Sequence, residues 1–440
     1  MPFHSLTYLP VDQLREYQNQ SRNHPKQKIQ KLAKLISEFG FLIPILVDDK
    51  KEIVAGHARF LAAKEAGLSD VPVISINHLT DTQIRAFRIA DNKICEGSEW
   101  NHETLKIEFS ALIDLNFDLD FTAFEIPEID LIVLGEDQSD PPDSNEDVPV
   151  APEHPIVRPG DTFSLGRHCV ACLDCRDIDQ LDNFMAGAFA SMVITDPPYN
   201  LQINGVALKR KDVHSEFAMA SGEMSPEEYT EFLVDTFSAF QQFSTDDSLH
   251  YHFIDHKHLR EMLDAGNQVY DRQVNLCVWV KSNSGMGAFY RSQHELCCIF
   301  GSGKDGHRNN VQLGRFGRNR SNVWHYPGLN SFSEDRSGLL ASHPTVKNTQ
   351  MIADAILDAS KPNDIILDGF LGSGTTILAA EKTGRICYGC EIEPKFIEVC
   401  IERFRAVSDA PIIHAETGQP FDELKQARLQ QTQKELGHVG

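Results

Sequence analysis

The apolar run Phe189-Ala190-Ser191-Met192-Val193-Ile194 followed by Thr195-Asp196-Pro197-Pro198-Tyr199-Asn200 constrains this chain more than any other stretch. A short apolar run of this kind suits a strand covered on both faces, as in a parallel sheet packed between helices. Two successive prolines end the ladder and fix φ, so an acid and an aromatic follow in a stiff, exposed loop. Open α/β sheets bind their ligands at that edge. An Asp oxygen, a proline carbonyl and a Tyr face together suit a planar amino group, because the oxygens accept its hydrogens while the ring stacks on its heterocycle. Accepting both hydrogens localises the nitrogen lone pair, which can then attack an electrophilic methyl group while Asp196 stabilises the developing positive charge. For Asp196-Pro197 alone, the bland alternative is a turn after a core strand.

A second stretch narrows the ligand. Ile365-Ile366-Leu367-Asp368-Gly369-Phe370-Leu371-Gly372-Ser373-Gly374-Thr375-Thr376 reads as a short strand, a glycine-rich turn and a helix start running on to Lys382. Glycines let the backbone approach a ligand, and a helix start offers free amide donors. The next strand, Ile386 to Cys390, ends in Glu391, about 20 residues after the turn, where an acid reaches ribose hydroxyls. A phosphate-binding loop would need Lys where Thr375 stands. The order strand, glycine turn, helix, strand, acid is that of a nucleoside-binding half of a doubly wound sheet.

Asp196-Pro197-Pro198-Tyr199 resembles the catalytic motif of amino-group DNA methyltransferases, which use S-adenosylmethionine. The resemblance implies a Rossmann-like methyltransferase sheet of the α/β class in the permuted order called the beta group, and spans roughly residues 155 to 410. It implies catalytic roles for Asp196, Pro197, Pro198 and Tyr199. It also implies cofactor contacts from Asp174, Thr345, Lys347, Asp368, Phe370, Gly372, Gly374, Thr375 and Glu391. Asp174 follows the opening segment Gly160 to His168, and Thr345 and Lys347 belong to the family's His-Pro-Thr-x-Lys segment, here His343 to Lys347. Two positions depart from the pattern: Gly369 replaces a proline in the cofactor turn, and Asn348 replaces the proline after Lys347.

The chain has 440 residues, enough for two or three domains. No apolar run approaches membrane-spanning length and Met1-Pro2-Phe3-His4 does not open a signal peptide, so a cytoplasmic protein is expected. The 10 cysteines show no disulfide framework. Cys169, Cys172, Cys175, Cys387 and Cys390 form a metal-like set on paper, but they lie in apolar strand-like segments, and no metal is expected.

The segment up to residue 135 reads as a small α+β unit. Ile29, Leu32, Leu35, Ile36 and Phe39 share one face of a helix over 26–39, with Gly40 as its C-cap. Strands are expected over 42–47, 52–55 and 71–76, with a helix over 57–66 and another from Leu79 to Lys93. Asn19 to His24, Glu38 to Val47 and Ala55 to Arg59 resemble the ParB/sulfiredoxin-like domain of partition proteins, also fused to some phage-type methylases. The resemblance implies an anion site for nucleotide or DNA phosphates at Arg22, Gly56, His57 and Arg59. A helix cap with a surface arginine is the plain alternative. Sulfiredoxin chemistry needs a Cys where His57 and Ala58 stand, so that activity is not expected.

The net charge of −23 is unusual for a partner of DNA, but it is concentrated. From Glu96 to Glu153 there are 17 acidic residues against Lys106 alone, and residues 136–155 read as an acidic, Pro-rich linker, with a DNA-mimicking tail as the sharper alternative. From Lys281 to Gly328, seven Lys or Arg face two acids, with Phe289, Tyr290, Phe316, Trp324 and Tyr326 interleaved. Cations for phosphates and flat rings for an opened duplex suit base extrusion. As a pattern alone this could be any solvated loop, but it lies after Val278-Trp279-Val280 and before His343, where the methyltransferase family keeps its target-recognition region; the resemblance thus implies an insert at about 201–342, with DNA contacts at Lys209, Arg210, Lys211, Arg315, Arg318 and Arg320. Residues 411–440 read as a polar tail.

The expected activity is methyl transfer from S-adenosylmethionine to an exocyclic amino group of a flipped base in double-stranded DNA. Adenine N6 is favoured over cytosine N4, since Asp opens the Pro-Pro-Tyr motif. An RNA or protein methyltransferase, or a ParB-like DNA-binding protein with a degenerate methylase half, are the other readings. A homodimer, and a nucleotide bound to the ParB-like unit, are left open as partners.

Overall fold

Periodic apolar residues build each unit around its own core. The computed structural model describes residues 5–18, 24–94, 100–135, 148–200, 222–282, 284, 289–304, 306–312, 315, 320–328 and 346–437. They divide into units of residues 1–133 and 134–440.

The first unit runs β1 (Leu6–Pro10), α1 (Lys26–Phe39), β2 (Ile45–Val47), β3 (Ile53–Ala55), α2 (His57–Glu65), β4 (Asp70–Ser75), α3 (Asp81–Ile94), α4 (His102–Asp114) and α5 (Ile126–Leu134). Its sheet has the order β1-β4-β2-β3. Ile45, Val47, Ile53, Val71 and Val73 are fully buried beneath Phe60 and Ala63 of α2. Gly40, at φ 80°, ends α1 in a conformation that costs other residues energy. Within the acidic stretch, Phe109, Leu119, Ile126, Ile129 and Ile132 close a separate helical core. The charge count had hidden those helices. Residues 136–147 of the expected linker lie outside the described residues.

The second unit comprises β5 (Thr162–Leu165), β6 (His168–Cys172), α6 (Ile178–Met185), β7 (Ala190–Thr195), α7 (Pro226–Gln242), β8 (Ser244–Ile254), α8 (Leu259–Val269), β9 (Arg272–Val280), β10 (His294–Gly301) and β11 (Val323–His325). It continues with α9 (Thr349–Ala359), β12 (Ile365–Asp368), α10 (Thr375–Thr383), β13 (Ile386–Glu391), α11 (Pro394–Arg405), β14 (Ile412–His414) and α12 (Phe421–Gly437). One ten-stranded mixed sheet has the order β11-β9-β10-β8-β7-β12-β13-β6-β5-β14.

Alternation along β7 explains its apolar run. Val193 packs with Leu181, Phe237 and Met262 on the α6–α8 face, whereas Met192 and Ile194 pack with Ile352 and Ile356 of α9 on the other. Burying each such side chain contributes about 1.5–3 kcal/mol, so a strand apolar on both faces fits the centre of a sheet. β7 and β12 are parallel neighbours, with Val193 opposite Leu367. From β7 the chain crosses through α7 to β8 on one side; from β12 it crosses through α10 to β13 on the other. The crevice between β7 and β12 is thus a topological switch point, where doubly wound sheets bind ligands.

Two expected boundaries shift. Much of the expected insert belongs to the core instead: α7, β8, α8, β9 and β10 are core elements, with Phe237, Phe240, Phe300 and Trp279 almost fully buried. Residues after 410 do not form a polar tail, because β14 pairs antiparallel with β5 and α12 buries Phe421 and Leu424.

Candidate active site

Asp196 leaves β7 and Asp368 ends β12, side by side at the switch point. Thr195, also buried, donates to Asp368 Oδ1 at 2.8 Å, Thr376 at the start of α10 donates to Oδ2 at 2.6 Å, and the Phe370 amide donates at 3.0 Å. Burial nevertheless pushes the Asp368 carboxyl up to about 6. One strand further, Glu391 ends β13; it accepts from the Gly372 amide at 3.0 Å and the Glu393 amide at 2.9 Å, and burial pushes it up to about 7. These carboxylates, Asp174, Asp196 to Tyr199, Lys347, Phe370, Gly372 and Thr375 all line one cavity.

The glycine turn is shaped for packing as well as for a ligand. A Cβ on Gly369 would lie 2.2 Å from the Phe240 ring, which accounts for glycine where the family pattern has proline. Gly374 is not among the residues that line the cavity, although its neighbours Ser373 and Thr375 are. It sits at φ +87° as the N-cap of α10, and a Cβ there would meet Cys400 Sγ at 2.6 Å. Arg403, buried on α11, donates to the Ser373 carbonyl at 2.9 Å and braces the turn from behind. Asp174 is paired with Arg176 at 2.7 Å on the cavity wall. Thr345 lies outside the described residues.

The catalytic wall holds a compact charge cluster. Tyr199 Oη donates to Asp196 Oδ1 and Lys347 Nζ donates to Asp196 Oδ2. Lys347 is also 3.1 Å from Glu295 Oε2 and 3.3 Å from Tyr199 Oη. Glu295, at the start of β10, is held from its other side by Lys281 at the end of β9. Burial raises Asp196, with Glu295 adding to the rise and Lys347 opposing it. Glu295 goes the other way: burial would raise it, but Lys347 and Lys281 outweigh burial and hold it at about 2. Tyr199 is pushed well above its usual range by burial and by Asp196, so it stays a phenol that donates. From sequence, Lys281 counted only among the seven cations and Glu295 among the two acids of the basic stretch, with no role at the catalytic wall; the available signal was a lone charge at the end of each of two apolar runs.

Among the described residues the cysteines are free thiols, all buried except the half-buried Cys169. Burial, with Glu391 nearby, pushes Cys172 up to about 12, against thiolate ligation. Among the described residues, no three His, Cys, Asp or Glu side chains are placed to hold a metal, and no helix is long and apolar enough to cross a membrane.

The expected DNA contacts divide. Lys209, Arg210, Lys211 and Arg318 lie outside the described residues. Arg315 is exposed, whereas Arg320 is committed: it pairs with Asp354 at 2.9 Å and Asp358 at 2.7 Å and donates to Tyr326 Oη. Its guanidinium is therefore a brace on α9 rather than a phosphate contact. Trp324 is buried against Tyr251, not offered to a base. Phe289 and Tyr290 do stand exposed, edge to face.

In the first unit, Gly56 caps α2 at φ 102°, and the Arg59 guanidinium lies beside it. Burial, with Arg88 and His24 adding to the effect, pushes His57 down to about 4. His57 Nε2, Arg59 Nε and Arg88 Nε are buried without hydrogen-bond partners. Arg22 lies outside the described residues.

Comparison with known proteins matches each unit, and one family model runs across the boundary between them. A DNA methylase family model matches residues 190–402, a ParB N-terminal domain model residues 3–93, and a ParB-methyltransferase HTH domain model residues 103–159. The ParB-like nuclease domain-containing protein YnaK of Escherichia coli is 38% identical over 78 residues, covering 18% of this chain and 90% of that protein. The type II methyltransferase M.ScaI of Streptomyces caespitosus is 36% identical over 90 residues, which are 20% of this chain and 30% of that enzyme. The crystal structure of the M1.HpyAVI-SAM complex aligns with 18% identity over 53% of this chain and 98% of that chain, at a TM-score of 0.39. The chain carries an N6/N4 amino-group DNA methylase domain over residues 190–402, with a ParB-like domain ahead of it in the sequence.

Proposed function

We propose that this chain transfers a methyl group from S-adenosylmethionine to the N6 amino group of an adenine extruded from double-stranded DNA. The observation that carries this reading is the placement of Asp196 and Tyr199 on the wall of the same cavity that Asp368, Gly372 and Glu391 line. The residues present fit the cofactor. Two buried carboxylates with raised pKa values, a glycine backbone open to the cavity and the flanking side chains of Phe370, Ile392 and Phe396 suit a nucleoside with an amino-acid tail. Glu391 is the acid at ribose-binding spacing, and Asp174 is assigned to the adenine end.

When bound, S-adenosylmethionine supplies a sulfonium-activated methyl group, and its sulfur keeps the electron pair of the broken bond. Asp196 accepts from the target amino group, concentrating its lone pair, and stabilises the positive charge that grows as the new bond forms. The Tyr199 ring offers the base a stacking face. After transfer the methylated nitrogen sheds one proton, and Asp196, its affinity for protons increased by burial, is placed to receive it. Adenine is favoured because Asp rather than Ser opens the motif. Lys209, Arg210, Lys211 and Arg315 are assigned to DNA phosphates, whereas Arg320 is withdrawn from that set.

The partnerless nitrogens of His57, Arg59 and Arg88 beside the start of α2 support a separate anion site in the ParB-like domain, suited to a nucleotide phosphate.

The test is incubation with labelled S-adenosylmethionine and mixed-sequence duplex DNA, followed by nucleoside analysis. N6-methyladenine is expected. N4-methylcytosine would overturn the choice of base, and label in RNA or protein but not in DNA would overturn the substrate class.

A further inference from the structure

We propose that Lys347 is a built-in stand-in for the target base: its ammonium occupies Asp196 until an amino group enters, and Glu295 then takes it over. The inference rests on the methyltransferase reading and extends it to two positioning residues.

Three observations meet at Lys347. Both Asp196 oxygens already accept a hydrogen bond, one from Tyr199 and one from Lys347. An amino group that must donate to Asp196 therefore competes with Lys347, another nitrogen donor with no acceptor capacity. The ammonium also lies among rings, 5.7 Å from the centroid of Tyr199, 5.2 Å from Phe253 and 6.0 Å from Trp279. Such a surround attracts a cation and equally suits the flat face of a base.

The receiving partner is in place. Glu295 Oε2 is 3.1 Å from Lys347 Nζ, and Lys281 fixes the other Glu295 oxygen at 2.5 Å. The lysine stem has four rotatable carbons, so its ammonium can swing from one carboxylate to the other without itself losing a carboxylate partner, while the entering amino group donates to Asp196 in its place. Two lysines and two carboxylates balance before and after the swing. Without Glu295, Lys347 has only Asp196 to pair with and the base must displace it outright.

The test uses the full chain at saturating S-adenosylmethionine, with mixed-sequence duplex DNA as the varied substrate. Glu295→Gln should raise KM for DNA about tenfold or more, because the lysine stays on Asp196. Adding Lys347→Met to that variant should bring KM back to within about threefold of wild type, since the ammonium no longer holds Asp196 Oδ2. A double variant no better than Glu295→Gln alone would overturn the proposal while leaving the methyltransferase reading intact. A wild-type chain that methylates no DNA would overturn the reading and the proposal with it. Should Glu295→Gln fail to fold, Glu295→Asp, which draws the acceptor away from Lys347, supports the same comparison with and without Lys347→Met.

Discussion

Thr195 and Asp368 are joined across the switch point by a 2.8 Å hydrogen bond, tying the root of the catalytic loop to the root of the cofactor turn. Thr195→Val keeps the shape and removes the donor, leaving a buried carboxylate with one partner fewer. The expected loss of stability is about 1–3 kcal/mol, measured by chemical denaturation. A variant as stable as wild type would mean the bond has no structural role.

Glu391 predicts a pH dependence. Burial raises its folded pKa to about 7, so the folded chain binds a proton that the unfolded chain has already released. Its contribution to stability is full below the ordinary glutamate range and is lost as pH rises through about 7. Glu391→Gln should flatten this part of the profile, with a smaller difference in denaturation midpoint between acid and neutral pH. It should also weaken S-adenosylmethionine binding about tenfold or more, through the lost ribose contact. An unchanged profile and unchanged affinity would count against both roles.

Arg320 and Arg315 should separate in their effects. Arg320→Ala breaks two enclosed ion pairs, with Asp354 and Asp358, and is expected to destabilise the methylase unit by about 2–4 kcal/mol. Arg315→Ala should leave melting unchanged but weaken DNA binding and reduce its salt dependence by about one phosphate contact. Titrations of both variants at several salt concentrations, with melting curves, check this. Reversed effects would restore Arg320 to the DNA-contacting set.

The two units each close their own core, so removing residues 1–135 should leave a chain that melts cooperatively and binds S-adenosylmethionine. Calorimetry on the shortened chain is the check. An insoluble or cofactor-blind product would show that the methylase unit needs its amino-terminal partner.

What was legible in the sequence was local. The apolar run before Asp196, the glycine turn after Asp368 and the acid at Glu391 announce themselves because strand, turn and helix start are written in adjacent residues. Helix α1 was equally plain, from its spacing to Gly40. Glu295 and Lys281 were not, since Glu295 meets Lys347, and Lys281 meets Glu295, only because β9, β10, β8 and β7 lie side by side in that order. Such neighbourhoods are set by long-range pairing and leave little mark on short windows. Arg320 was misread for a related reason: a charge count cannot distinguish a solvated cation from one that meets Asp354 and Asp358 on a later helix. The same counting concealed α4 and α5, whose apolar spacing, at Leu105, Phe109 and Leu112 in α4 and at Ile126, Ile129 and Ile132 in α5, was outweighed by the surrounding acids.

The most direct measurement compares wild type with Asp196→Ala in two assays, S-adenosylmethionine binding by calorimetry and labelled methyl transfer into duplex DNA with nucleoside analysis. The account predicts labelled N6-methyladenine from wild type and, from the variant, transfer reduced by about a thousandfold or more with cofactor affinity retained. Equal transfer by the two proteins would contradict it, because the acid at the end of β7 would then take no part in the chemistry.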